Sequence, residues 1–239
     1  MQKINIAIDG PAGSGKGTVA KLVAKELGYL YIDTGVMYRL LTFLVIKNNI
    51  DVSDDKAIED ILINEFDYEI IDDKVYFKDE DVSKEIRGKE VNELVSVVAG
   101  KGYVRKFMID MQKAIASNKG VVMDGRDITS VVLKDAELKI YLDASFEKRV
   151  ERRYNEEVKK NMGTTIEEVR NIIASRDYKD AVINKTLVKG DDSILVDTTN
   201  TTVEEAVNKV LGLARERINN DWSGSGVYRK TKCWEINYF

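Results

Sequence analysis

The residues best suited to chemistry form one short run, Gly10-Pro11-Ala12-Gly13-Ser14-Gly15-Lys16-Gly17-Thr18. Its glycines let the backbone wrap so that successive N–H groups converge on phosphate oxygens, and a helix opening at its end adds a favourable dipole. Lys16 is spaced to reach the β- and γ-phosphates of a nucleoside triphosphate. The chemistry such a loop supports is phosphoryl transfer from ATP. In the strict pattern a Ser or Thr follows the lysine; here Gly17 takes that place and the hydroxyl comes one residue later, at Thr18. Thr18 is therefore the expected contact to Mg2+, directly or through water. The Gly-Lys-Gly-Thr form points to kinases of nucleotides and small molecules. A GTPase would carry Asn-Lys-x-Asp, and Asn184-Lys185-Thr186-Leu187 lacks the aspartate.

A second set of candidates follows two further strand-like segments. Asp33-Thr34-Gly35-Val36-Met37-Tyr38-Arg39 and Asp124-Gly125-Arg126-Asp127 fall at carboxyl ends of strands, where open α/β sheets bind ligands. Arg39 and Arg126 would face a second anionic group with guanidinium forks suited to phosphate, although isolated arginines also serve as surface ion-pair partners. Two phosphate sites imply transfer between them. Asp124 is read either as a group orienting Mg2+-bound water or as a cap for the adjacent turn. Arg149, Arg152 and Arg153, at i, i+3 and i+4, share a helix face that reads as a lid over ATP in preference to a solvated charged face.

These residues need a scaffold, and the apolar pattern supplies one. Ile4 to Ile8, Tyr29 to Ile32, Val121 to Met123, Leu138 to Leu142 and Ile194 to Val196 read as buried strands. Helical patterns over 18–27, 34–47, 91–98, 104–116, 146–158, 166–174 and 203–218 alternate with them. The fold class expected is α/β, a doubly wound five-stranded parallel sheet. Residues 66–78 break the alternation as an antiparallel hairpin turning at Asp72-Asp73. The expected organisation is one domain over 1–219, with a small β-containing insert at about 64–87 and a helical lid at about 148–166. Residues 220–239 lose the apolar periodicity. Their basic and aromatic residues suit a nucleic-acid contact, but a peripheral appended or disordered extension is the favoured reading.

Composition narrows the chemistry. The 239 residues contain no histidine, which excludes a Ser-His-Asp triad, an imidazole proton shuttle and His-ligated zinc. A single cysteine, Cys233, cannot close an internal disulfide, which suits a cytoplasmic address. The start carries no apolar stretch of signal-peptide length, and no run approaches the roughly 18 apolar residues of a membrane span. A formal net charge of −4 gives no support for a general nucleic-acid surface, so an anionic ligand must meet a local cluster of cations.

Taken together, IDGPAGSGKGT, YIDTGVMYR, KDEDVSKEIR at Lys78 to Arg87, VVMDGRDI and SRDYKD at Ser175 to Asp180 make the chain resemble the bacterial cytidylate kinase family over about residues 3 to 218. The resemblance implies ATP and Mg2+ as donor and cofactor, CMP and dCMP as acceptors, and a small β insert in the monophosphate-binding part; the protein is expected to act as a monomer, without nucleic acid or membrane. It also implies that Ser96, Arg105 and Asp127 read cytosine, that Arg176 and Asp180 hold the sugar with Thr34 nearby, and that Arg39 and Arg126 hold the acceptor phosphate. Where the family pattern ends in a further arginine this chain has Ile183, and Thr129 follows the DGRDI segment in place of glycine. Lys179 and Lys185 are the nearest cations to the missing arginine.

Overall fold

Strands that are apolar on both faces must lie between two layers of helices, because neither face can meet water without loss. The computed structural model, which describes residues 2–71, 74–159, 163–183 and 189–220, has that arrangement. In chain order its first half runs β1 (Asn5–Asp9), α1 (Lys16–Leu27), β2 (Leu30–Asp33), α2 (Thr34–Lys47) and α3 (Asp55–Asn64). Three short strands follow, β3 (Glu69–Ile71), β4 (Lys74–Phe77) and β5 (Glu80–Asp81), then α4 (Lys89–Ala99) and α5 (Gly102–Ala116). The second half contains β6 (Val121–Gly125), β7 (Leu138–Asp143), α6 (Phe146–Lys159), α7 (Ile166–Tyr178), β8 (Ile194–Asp197) and α8 (Val203–Asn220).

The main sheet has the order β2-β6-β1-β7-β8, with every neighbouring pair parallel. All five expected strands belong to it. One core joins Ile6 and Ile8 of β1 and Ile140 and Leu142 of β7 to Val19 and Val23 of α1 and Val210 of α8. The register pairs Asp9 with Gly125 and Asp33 with Asp124, so the phosphate loop and both arginine-bearing segments leave the sheet on one edge. Side-chain caps start the helices on that edge and beside it: Asp33 accepts from the Val36 N–H to open α2, and Asp54 accepts from Ala57 to open α3.

A second core lies beside the first. Met37 and Leu41 of α2, Ile58 and Ile61 of α3, Val75 and Phe77 of β4, Val98 of α4 and Met108 of α5 are all buried within it. The insert expected at 64–87 thus contains the small sheet, but its core is shared with four flanking helices. Two features differ from the sequence reading. Helix α3 was not expected, because Asp54, Asp55, Glu59 and Asp60 mask an apolar face of Ile58, Ile61 and Leu62. The expected hairpin carries a third strand, β5, whose two acidic residues pair with Phe77 and Tyr76 and give no apolar signal. The turn at Asp72-Asp73, residues 160–162 of the lid range, Lys185 and the tail beyond Asn220 lie outside the described residues. Among the described residues no helix is long and apolar enough to cross a membrane.

Candidate active site

The loop between β1 and α1 is shaped by contacts that exclude side chains. A Cβ on Gly10 would stand 2.1 Å from the Leu142 carbonyl oxygen. At Gly13 the backbone is left-handed, with φ of 76°, and a Cβ would lie 2.9 Å from the Arg149 carbonyl oxygen. Pro11 and Ser14 are buried, Ala12 and Gly15 half-buried, and Thr18 is exposed on the first turn of α1. Lys16 Nζ donates to the Pro11 carbonyl at 3.2 Å, folded back over the loop. Burial, followed by the nearby Arg126 charge, lowers the Lys16 pKa from its ordinary value. A phosphate group would reverse that penalty.

The three arginines of α6 do not act as one face. Arg149 is buried; its Nε donates to Ala144 O at 3.1 Å, its Nη1 to Ala12 O at 3.1 Å, and it pairs with Asp177 of α7 at 2.5 Å. Arg152 donates to Ser14 O at 3.1 Å, to Thr198 Oγ1 at 3.0 Å and to Thr198 O at 2.6 Å. Both guanidinium groups, expected on the ATP side, donate to carbonyl oxygens of the phosphate loop and also hold Asp177 and Thr198. Arg153 is the one left toward the site. It pairs with Glu157 at 2.8 Å and Glu156 at 3.4 Å, and its charge acts on Arg39 and Arg176.

Across from the loop, cations from separate elements repel one another. Burial, with the charges of Arg87, Arg153 and Arg126, pushes the Arg39 pKa down to about 10 against the opposing pull of Asp33. Burial, then Arg126 and Arg39, pushes Arg176 down to about 9. A cluster of cations in a partly buried site raises the local positive potential and favours an anionic ligand. Several are meanwhile held by protein groups. Arg39 donates to Asn92 Oδ1 at 2.8 Å and Ile86 O at 3.3 Å. Arg126 pairs with Asp180 at 2.8 Å, and Arg176 stands 3.9 Å from the same carboxylate. Arg105 on α5 is ion-paired with Asp127. Tyr38 lies beside that pair, its phenol pushed up to about 12 chiefly by burial. Ser96 is half-buried on α4 and no hydrogen bond joins it to Arg105 or Asp127.

A family model described as cytidylate kinase matches residues 6–216. The chain belongs to the cytidylate kinase family. It is 45% identical over 222 residues to a cytidylate kinase of Ligilactobacillus salivarius, covering 91% of this chain and 99% of that one. A cytidylate kinase of Fusobacterium nucleatum is 46% identical over 209 residues, 87% of this chain and 95% of the other. One from Listeria monocytogenes is 45% identical over 223 residues, covering 92% and 99%. In each case nearly the whole relative is matched, so the likeness extends well beyond the phosphate loop.

Several residues at this site escaped the sequence reading. Asp9 is fully buried and accepts from Ile128 N at 2.9 Å, Thr129 N at 2.9 Å and Thr129 Oγ1 at 2.7 Å. It thereby ties the start of the phosphate loop to the segment carrying Arg126 and Asp127. A carboxylate closing a buried strand immediately before the glycine-rich run was the available signal. Thr129, noted as a departure from the family pattern, supplies the hydroxyl for that tie. Arg87 and Asn92 bring further polarity to Arg39, and only their three-dimensional placement reveals it.

The oxygen donors near Lys16 suit a magnesium ion. Asp124 is buried, accepts from Tyr31 Oη at 2.9 Å, and has its pKa raised by burial and the neighbouring Asp33 charge. Thr34 Oγ1 donates to the Asp124 carbonyl at 2.9 Å, so the Thr34 proton is committed to this strand end. No group of three or more acidic, histidine or cysteine residues gathers among the described residues. That sparse set fits Mg2+, which retains waters and draws ligands from phosphate and one or two carboxylates.

Proposed function

We propose that this protein transfers the γ-phosphate of ATP to CMP or dCMP, giving ADP and CDP or dCDP. The observation that carries this reading is the facing of the Lys16 loop by Arg39, Arg126, Arg153 and Arg176, with the Arg105–Asp127 pair beside them. Two phosphate-bearing ligands fit between such groups, and family membership supports their identity.

In this reading the loop from Gly10 to Gly15 and Lys16 hold the β- and γ-phosphates, while Arg39 and Arg126 hold the acceptor phosphate. Asp127 accepts from the exocyclic amino group of cytosine; Arg105 donates toward the ring carbonyl, and Ser96 adds a third polar contact. Arg176, Asp180 and Thr34 lie toward the sugar. Arg153 comes from the lid, residues 148–166, to the transferring group, with Arg149 and Arg152 anchoring that lid to the loop. A phosphate monoester has a second pKa of about 6 and is largely dianionic at neutral pH. Its oxygen attacks the γ-phosphorus in line, the bond to the ADP oxygen breaks, and no protein base is required. A chain without histidine can therefore perform the reaction by positioning and charge stabilisation. Bound Mg2+, held through water by Asp124 and Thr18, would neutralise charge on the phosphates. The same reading takes the protein as a cytoplasmic monomer.

An ADP-release assay with CMP, dCMP, UMP and AMP tests the proposal. Turnover with CMP and dCMP well above the other two is expected. Equal or faster turnover with UMP or AMP would overturn the cytosine assignment, and ATP hydrolysis indifferent to any acceptor would overturn the kinase reading.

A further inference from the structure

The strict phosphate-loop pattern carries a hydroxyl at the residue after the lysine, where this chain has Gly17. A Cβ built there would stand 3.3 Å from Tyr31 Oη and 3.9 Å from Asp124 Oδ2. The space beside residue 17 is thus bordered by a different hydroxyl, delivered from β2. Tyr31 Oη donates to Asp124 Oδ1 at 2.9 Å, which leaves Oδ2 as the carboxylate oxygen nearer Gly17. Burial and the charges of Asp124 and Asp33 push the Tyr31 phenol upward, so it keeps its proton and remains a donor. Its side chain packs against the main core and also borders a groove of about 330 Å3 with Phe66, Tyr68 and Met111.

A tyrosine hydroxyl next to a buried carboxylate can be there only to satisfy it. The adjoining glycine points further. A serine hydroxyl at residue 17 would compete with Tyr31 Oη for the same small volume and the same carboxylate, and Gly17 leaves both to Tyr31. We propose that Tyr31 is a positioning residue of the donor site: its hydroxyl holds the Asp124 carboxylate with Oδ2 turned toward the start of α1, in the space that a side chain at residue 17 would otherwise fill. The inference rests on the reading of Asp124 as a group that orients Mg2+-bound water. It does not depend on which acceptor is phosphorylated.

Calorimetric titration with ADP, once with Mg2+ and once with EDTA and no acceptor present, separates phosphate binding from its enhancement by metal. Tyr31→Phe keeps the ring and its packing. It should leave metal-free ADP affinity within about twofold and cut the Mg2+-dependent gain roughly tenfold or somewhat more, the loss of one hydrogen bond to a charged group. Gly17→Ser alone should also reduce the gain by crowding Tyr31. The double variant Tyr31→Phe/Gly17→Ser should recover it to within about threefold of the natural protein, because the serine hydroxyl then has room to take over. In an Asp124→Asn background, Tyr31→Phe should add nothing. The proposal is overturned if Tyr31→Phe lowers the melting temperature without changing the Mg2+-dependent gain, if it weakens ADP equally with and without metal, or if the double variant is worse than either single one. Failure of CMP phosphorylation with these binding results intact would reject the acceptor assignment and leave the Tyr31 inference standing.

Discussion

The two halves of the site are built by opposite means. In the proposed reading the donor half comes from one run of nine residues, the loop after β1 and the first residues of α1, and it is fastened to α6 by Arg149 and Arg152 through carbonyl oxygens of the loop itself. The acceptor half is gathered from α2, α4, α5, α7 and the segment after β6, and its cations are paired with Asn92, Asp127 and Asp180. The donor loop is thus held by contacts that leave Lys16 as the side chain that must change partner when phosphate binds. On the acceptor side, partners must be exchanged when a ligand arrives, because the groups that would bind it already hold one another. The difference assigns separate consequences to substitutions: donor changes should damage chemistry or stability, and acceptor changes should damage one substrate's kinetics.

The sharpest break of that comparison is at Lys16. In the proposed reading Lys16 follows charge onto the leaving β-phosphate, so Lys16→Met should lower kcat by about 10²- to 10³-fold, the scale for removing one preorganised charge-stabilising donor. Steady-state kinetics with saturating ATP and CMP would measure it. A reduction confined to the KM for ATP would mean that Lys16 contributes only ground-state binding.

Arg149 tests the bracing role. Its guanidinium is buried, and Arg149→Met would leave Asp177 without its partner and the Ala12 carbonyl without its donor. Removing one member of such a pair costs on the order of 3 kcal/mol. For a chain of this size that corresponds to a melting temperature lower by roughly 6–12 °C. Thermal unfolding by circular dichroism is the measurement. An unchanged melting temperature with a large rise in the KM for ATP would restore Arg149 to the list of phosphate contacts.

Arg126→Met should behave in the opposite way. Asp180 retains Arg176 at 3.9 Å, so the fold loses less than at Arg149, whereas the acceptor phosphate loses a fork-shaped donor. We expect kcat/KM for CMP to fall about 10²-fold, within the range for truncating one partner of a buried charge pair. The KM for ATP should stay within about twofold. An equal rise in both KM values would show that the two halves are not separable.

The same contrast explains how much was legible beforehand. The donor loop could be read residue by residue because phosphate binding there needs local backbone geometry, and local geometry is written in consecutive glycines. The five sheet strands were legible for a related reason: short apolar runs mark them all, continuous in the fully buried β1 and β6 and still readable in the half-exposed edge strands β2 and β8. The roles of Arg149 and Arg152 were not legible, since helical spacing says that residues three and four apart are neighbours but not which way they turn. Asp9 and Tyr31 were missed because their partners, Thr129 and Asp124, are 120 and 93 residues away. The acceptor residues could be named from the family resemblance, yet their pairing with Asp180 and Asp127 emerges only once five elements are brought together. Helix α3 was lost to its own acidic residues, whose capping role needs the structure to be seen.

The smallest expected effect concerns the base, where the two halves no longer share a ligand. Cytosine offers an exocyclic amino donor at the position where uracil offers a carbonyl acceptor, so a carboxylate there attracts one and repels the other. In the free protein the Asp127 carboxylate is already polarised by Arg105, with Tyr38 packed beside them. Asp127→Asn substitutes an amide that can accept from the amino group or, rotated, donate to the carbonyl. The ratio of kcat/KM for CMP to that for UMP should therefore fall by roughly tenfold or somewhat more, the value of one charged hydrogen bond. The KM for ATP and the melting temperature should hardly move, since Arg105 is only partly buried and can turn to solvent. A tenfold loss with CMP and no gain relative to UMP would mean that Asp127 serves mainly to hold Arg105, and the base would then be read by Arg105 alone.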